Sequence, residues 1–111
     1  MWSDPQPVPM IAGQSASGQT SGPIPLNNTF RHWNGAVFAA GVTSGTVIIE
    51  TGPSMNGPWT LAATIDAATG AQEYRADGPG GFIRHRIGTT IAGGASPSVN
   101  TYCNRIHVGD V

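Results

Sequence analysis

The stretch Gly45-Thr46-Val47-Ile48-Ile49-Glu50-Thr51 is where the fold is most plainly written. β-Branched side chains fill five of its seven positions. Such side chains are stiff about χ1 and pack well on a pleated surface, so the segment predicts a strand. Gly52-Pro53-Ser54-Met55-Asn56-Gly57-Pro58 follows, and these are turn residues almost throughout. Beyond it, Trp59, Leu61, Ala63 and Ile65 alternate with Thr60, Ala62, Thr64 and Asp66. A period of two marks a strand with one face buried, here the face of Trp59 and Leu61. A short turn is expected from Asp66 to Gly70. Ala71 to Asp77 predicts another strand, with Glu73, Arg75 and Asp77 on one face and Tyr74 turned inward with Gln72 and Ala76. After the breaker Asp77-Gly78-Pro79-Gly80-Gly81, Phe82, Arg84 and Arg86 alternate with Ile83, His85 and Ile87. His85 falls on the inward face. The last strand runs from about Ser98 to Val108, with Val99, Thr101 and Cys103 inward. Ile106 and Val108 have the opposite parity, which one β-bulge near Asn104 would reconcile.

Upstream, Leu26 to Trp33 alternates as a strand and is followed by Asn34-Gly35 and then Ala36 to Val42. Asn-Gly between strand-like segments predicts a two-residue hairpin turn. About seven short strands with turn signals every 8–12 residues make an all-β domain. The expected architecture is a small antiparallel β-sandwich, immunoglobulin/fibronectin-like or jelly-roll-like. Its bounds are residues 26–111. Residues 1–25 hold five of the nine prolines and a Gly/Ser/Gln/Thr tract, so they predict an extended N-terminal arm. That arm carries Trp2, Val8, Met10, Ile11 and Ile24, with Leu26 just beyond it, side chains of little use to a solvated tail. Deleting residues 1–25 is then expected to leave the sandwich folded.

Composition excludes several classes. The chain has 111 residues, one domain's worth, with 16 Gly, 9 Pro and 10% charged residues. All its cationic side chains are Arg, and the net charge is -1. Five scattered arginines make no electrostatic footprint for nucleic acid. No run approaches the ~18–20 apolar residues of a membrane-spanning helix. A single cysteine, Cys103, forms no intrachain disulfide framework. The first residues lack the basic-then-apolar pattern of a secretory leader, so synthesis in a cytoplasm is expected. Edge strands need protection, and a chain so poor in charge is expected to bury its edges in an assembly.

The chemistry-bearing residues do not converge on a reaction. His32, His85 and His107 sit on three different predicted strands, and none has ligand spacing with another or with Cys103. No metal and no cofactor is expected. No Ser lies in a Gly-x-Ser-x-Gly elbow, and the Gly-rich runs open no helix that could cradle phosphate. An enzyme is not expected. Glu73, Arg75 and Asp77 are expected to form a cross-strand ion-pair ladder with Glu50, Arg84 or Arg86. Trp59 and Tyr74 are expected in the core. Trp33, beside the expected turn, is the best exposed aromatic contact, and Arg84 and Arg86 could take a partner's carboxylates.

The block from Gly45-Thr46-Val47-Ile48-Ile49-Glu50-Thr51 through Trp59-Thr60-Leu61 and Tyr74 to Phe82-Ile83-Arg84-His85-Arg86-Ile87 and Ser98-Val99-Asn100-Thr101-Tyr102 carries a resemblance. It resembles small β-sandwich structural proteins of tailed bacteriophages, of the head decoration or cement type, over about residues 36–103. His85 departs from the β-branched residue usual at its position in that pattern. The resemblance implies a non-enzymatic virion protein that binds the outer capsid surface and stabilises contacts between major capsid subunits. Its partners would be the major capsid protein and further copies of itself, as a homo-trimer or another symmetric oligomer, with neither nucleic acid nor membrane involved. Trp2, Val8, Met10, Ile11, Ile24 and Leu26 would bind a neighbour through the arm, and Trp33, Arg84 and Arg86 through the surface. Two other readings stand beside it: a phage neck, tail or fibre adaptor, and a carbohydrate-binding module using Trp33.

Overall fold

The computed structural model describes residues 8–13, 15–25, 30–76 and 81–107. Among these, eight strands form two four-stranded antiparallel sheets. They are β1 (Val8–Ala12), β2 (Ile24–Pro25), β3 (Phe30–Ser44), β4 (Thr46–Gly52), β5 (Thr60–Asp66), β6 (Gln72–Ala76), β7 (Phe82–Ile87) and β8 (Ala92–His107). A 3₁₀ turn, Ala67–Thr69, joins β5 to β6, where the sequence predicts a turn. Asp66 caps it by accepting from the Ala68 amide.

Strand order settles the alternatives left by the sequence. One sheet runs β1-β8-β3-β6 and the other β2-β7-β4-β5. β1 pairs with β8, β2 with β7, β3 with β6 and β4 with β5, as in one long hairpin. Rolling that hairpin sets β3 beside β8 and β4 beside β7. This is jelly-roll connectivity, with two sheets packed face to face.

The core lies between the sheets. Val37, Val47, Ile49, Ile83, Ile87, Val99 and Cys103 are completely buried. Burying one isoleucine or valine contributes roughly 1.5–3 kcal/mol, so this layer dominates the favourable side of folding. β7 alternates as its sequence predicts, with Ile83, His85 and Ile87 inside. Val99, Thr101 and Cys103 of β8 are inward as well.

Three expectations are corrected. First, Asn34-Gly35 is no hairpin turn: β3 runs straight through it, in register with Arg75 and Tyr74 of β6 and with Asn104 and Cys103 of β8. Gly35 is needed for space rather than for a positive φ. A Cβ there would stand 2.5 Å from Tyr74 Cε2 and would also strike the Tyr102 carbonyl oxygen. Second, residues 8–13 and 15–25 are not a free arm. β1 and β2 are strands of the two sheets, and Met10 and Ile11 are buried in the core. β1 spends one residue more than β8 between Pro9 and Ala12, a bulge that lets two consecutive residues both face inward. Pairing with β8 overrides the local Pro/Gly preference. Third, the irregularity at the end of β8 is not at Asn104. It lies in β3, where the register shifts between Phe30 and His32 opposite Ile106 and His107. The Asp77-to-Gly80 breaker and the start of the Leu26 strand lie outside the described residues.

Candidate interaction surface

The alternation of β7 sends its polar side chains to two different places. Outward, Arg84 and Arg86 meet Glu50 of β4, which is in register with Arg84. Arg84 Nε donates to Glu50 Oε1 at 2.9 Å, and Arg86 Nε donates to the same oxygen at 3.1 Å. Trp59 completes the group, with the Arg84 guanidinium 4.4 Å from its ring centroid. The ring also lies over Gly52, where a Cβ would stand 3.0 Å from Trp59 Cε3. The outer face of this sheet therefore carries two cations around one carboxylate, stacked on an indole.

Leu61 adds an apolar element, 61% exposed. Its expected place was inside, with Ile65. The register explains the reversal: Ile49 faces Ala63, but Glu50 faces Leu61. Ala62 is an extra residue, and passing it turns Leu61 to the outer face beside Glu50. Trp59, also expected in the core, is half-buried on the same face. Met55, in the loop before it, is exposed. On the opposite sheet Phe38 is 50% exposed, edge-to-face with Tyr102 at 5.8 Å.

Inward, His85 is completely buried and bridges the sheets. Its Nε2 is 2.5 Å from the Tyr74 hydroxyl and its Nδ1 is 2.6 Å from Thr101 Oγ1. Thr101 Oγ1 also accepts from the Ile11 amide at 2.9 Å. Ser21 Oγ accepts from the His85 amide. Burial pushes the imidazole pKa down to about 3, because it strips water from the charged form. Burial, with the Cys103 thiol second, raises the Tyr74 phenol well above its ordinary value. The imidazole and the phenol are therefore neutral near pH 7, and His85, Tyr74 and Thr101 satisfy one another.

The residues expected to bind a partner are thus dispersed. Arg84 and Arg86 come together. Trp33 lies on β3 in the other sheet, in register with Ala76 and Arg105. Met10 and Ile11 are consumed by the chain's own core, Ile24 packs against it opposite Ile83, and Val8 pairs with Cys103. Trp2 and Leu26 lie outside the described residues. Glu73 sits on β6, in the sheet opposite Glu50, so it does not belong to the same ladder. The edges are blunted without lysine. β1 has Pro9 and a bulge, β2 is two residues long and ends at Pro25, β5 is bulged at Ala62, and β6 carries Glu73 and Arg75. The case for assembly moves from the edges to the faces, where Phe38 and Leu61 are exposed, and to the β4–β5 loop, where Met55 is. Pro58 before Trp59 and Gly52 across from it are the sequence signals that place this indole at a strand end. The extra residue at Ala62 leaves none. Among the described residues no group of three His, Cys, Asp or Glu could hold a metal ion, and no helix is long and apolar enough to cross a membrane.

No family model matches the chain, and no curated protein does. Among solved structures, the crystal structure of the SPBc2 prophage-derived protein YomS is similar, with a TM-score of 0.69. The alignment spans 95% of both chains at 11% sequence identity. At that identity the likeness is one of fold.

Proposed function

We propose that the chain is a non-enzymatic structural protein of a tailed-phage virion, a decoration protein that binds the outside of the head and bridges neighbouring major capsid subunits. One observation carries the reading. A jelly-roll sandwich, alike along nearly its whole length to a prophage-derived protein, exposes large apolar side chains on the outer faces of both sheets. The polar side chains of the two clusters are spent on one another: His85 on Tyr74 and Thr101, and Glu50 on two arginines. That leaves surface contact as the means of action. Phe38 on one face, Leu61 and Trp59 on the other, and Met55 in the adjoining loop supply apolar contact, while Arg84 and Arg86 supply the charged rim. Many weak contacts repeated over a symmetric shell would add up through avidity.

The test is binding to purified heads that lack this protein, with copies per particle counted by quantitative mass spectrometry. Saturable binding at on the order of hundreds of copies supports the head assignment, because a shell repeats its sites by symmetry. Saturation at about a dozen would move the protein to the neck or tail, where the symmetry is low. No binding at all would sink both. Since Met10, Ile11 and Ile24 belong to the sandwich, deletion of residues 1–25 is expected to unfold the chain, and so cannot serve as the binding variant. Phe38→Asp and Leu61→Asp serve instead, each expected to lose head binding while keeping the far-UV spectrum of the parent.

A further inference from the structure

We infer that His85 is the trigger of an acid-opened latch: its protonation frees strand β1 and uncovers the edge of β8. The latch is geometric. His85 stands on β7 in one sheet, and its two ring nitrogens reach Tyr74 on β6 and Thr101 on β8 in the other. Thr101 in turn holds the Ile11 amide of β1. One imidazole therefore ties four strands together.

Among the described residues no carboxylate faces the ring to compensate a positive charge. The titratable groups facing the ring, among the same residues, are the Tyr74 phenol of β6, which burial keeps neutral near pH 7, and, beside that phenol, the Cys103 thiol of β8. The core residues from β1, β3 and β4 are Met10, Ile11, Val37, Val47 and Ile49. Glu50, the carboxylate of β4, is engaged with Arg84 and Arg86 on the outer face. An imidazolium formed here must reach water, so some part of its cover has to open.

Two five-residue edge strands, β1 and β6, belong to that cover, and β1 is the bulged one. It also packs across the sandwich from β7. Its departure would let water in and leave β8 as an open edge, able to pair with an extended strand.

The sign follows from linkage. Opened, His85 titrates near its ordinary value of about 6.5; closed, it resists protonation until about pH 3. The open form binds the extra proton between those values. The closed state is fully favoured above pH 6.5 and loses ground as pH falls, with the open fraction rising about tenfold per pH unit.

Amide hydrogen exchange on the full chain, corrected for intrinsic exchange rates, tests this. The protection of the Ile11 amide should fall about tenfold per pH unit from pH 6.5 to 4.5. Amides of β4 and the centre of β7 should keep theirs over that range. In His85→Gln the Ile11 slope should vanish. Should that variant not fold, imidazole nitrogen shifts of the parent decide: the His85 ring of the folded form stays neutral at pH 5. An imidazolium within the closed form would overturn the latch. So would Ile11 protection that is independent of pH, or loss of protection at the same rate in β4, which would be whole-chain unfolding.

Discussion

β7 holds two polar clusters back to back. On its outer side Arg84 and Arg86 share Glu50 in partial contact with water; on its inner side, one residue away, His85 is sealed with Tyr74 and Thr101. Both are hydrogen-bonded groups built around titratable side chains of the same six-residue strand. The outer one sets opposite charges against one another at a surface that water still reaches. The inner one stays neutral because its surroundings offer neither. Strand parity alone sorts the residues between the two fates. A shift of register by one residue would exchange them and place two arginines in the core, so the pattern of β7 specifies its own register strongly.

The inner cluster should be the more costly to disturb. Tyr74→Phe keeps the ring that fits against Gly35 and removes the hydroxyl that His85 Nε2 faces. A buried group left without its partner costs about 1–3 kcal/mol, to be read as a lower midpoint of denaturant unfolding with the slope unchanged. A loss near zero would mean that the hydrogen bond is replaced, and the contrast between the two sides of β7 would fail.

A second buried threonine sharpens the point with the opposite sign. Thr51 is 1% exposed, and among the described residues its hydroxyl has no hydrogen-bond partner. Thr101 has nearly the same burial, and its hydroxyl makes two hydrogen bonds, with the Ile11 amide and His85 Nδ1. Thr51→Val, which replaces the unsatisfied hydroxyl by a methyl of similar size, should raise stability by roughly 1 kcal/mol. Thr101→Val should lower it. Equal responses at the two positions would show that burial, and not hydrogen bonding, sets the difference.

On the outer side effects should shrink. Arg86→Gln leaves Arg84 bonded to Glu50, so the expected loss is below about 1 kcal/mol and smaller still in high salt. Thermal unfolding at two ionic strengths measures both. A salt-independent loss of several kcal/mol would place this ion pair in the same class as the inner network.

How much of this was legible in the sequence depended on whether a residue's role was local. The period of two in Phe82–Ile87 placed Arg84, His85 and Arg86 on their proper sides, and Asp66 to Gly70 announced the turn before β6. Val99, Thr101 and Cys103 were equally readable. What stayed hidden was set by distant partners. Gly35 reads as a hairpin turn until the Tyr74 ring, 39 positions away, is seen to need its space. The Pro/Gly-rich start reads as a loose arm until β8, near the other end of the chain, supplies its hydrogen bonds. No local signal marks which of two neighbouring residues in a strand is the extra one, so the bulges at β1 and β5 could not be read.

The bulge in β5 yields the smallest predicted effect and a demanding test. Strict alternation puts Leu61 inside with Ala63 and Ile65. The observed register puts it outside, opposite Glu50 and 61% exposed. The two placements differ sharply in energy. Truncating a buried leucine costs about 2–5 kcal/mol, whereas a surface substitution away from special features stays within about 0.5 kcal/mol. Threonine has higher strand propensity than most polar residues, so Leu61→Thr changes the apolar contact while leaving the backbone preference in place. The expected shift in the unfolding midpoint is therefore within that smaller range. The same substitution is expected to weaken head binding, because it removes apolar surface from the face that also carries Trp59, Arg84 and Arg86. A stable variant that binds heads poorly is the signature of a side chain turned outward by one inserted residue. A variant that loses several kcal/mol would return Leu61 to the core and abolish the bulge.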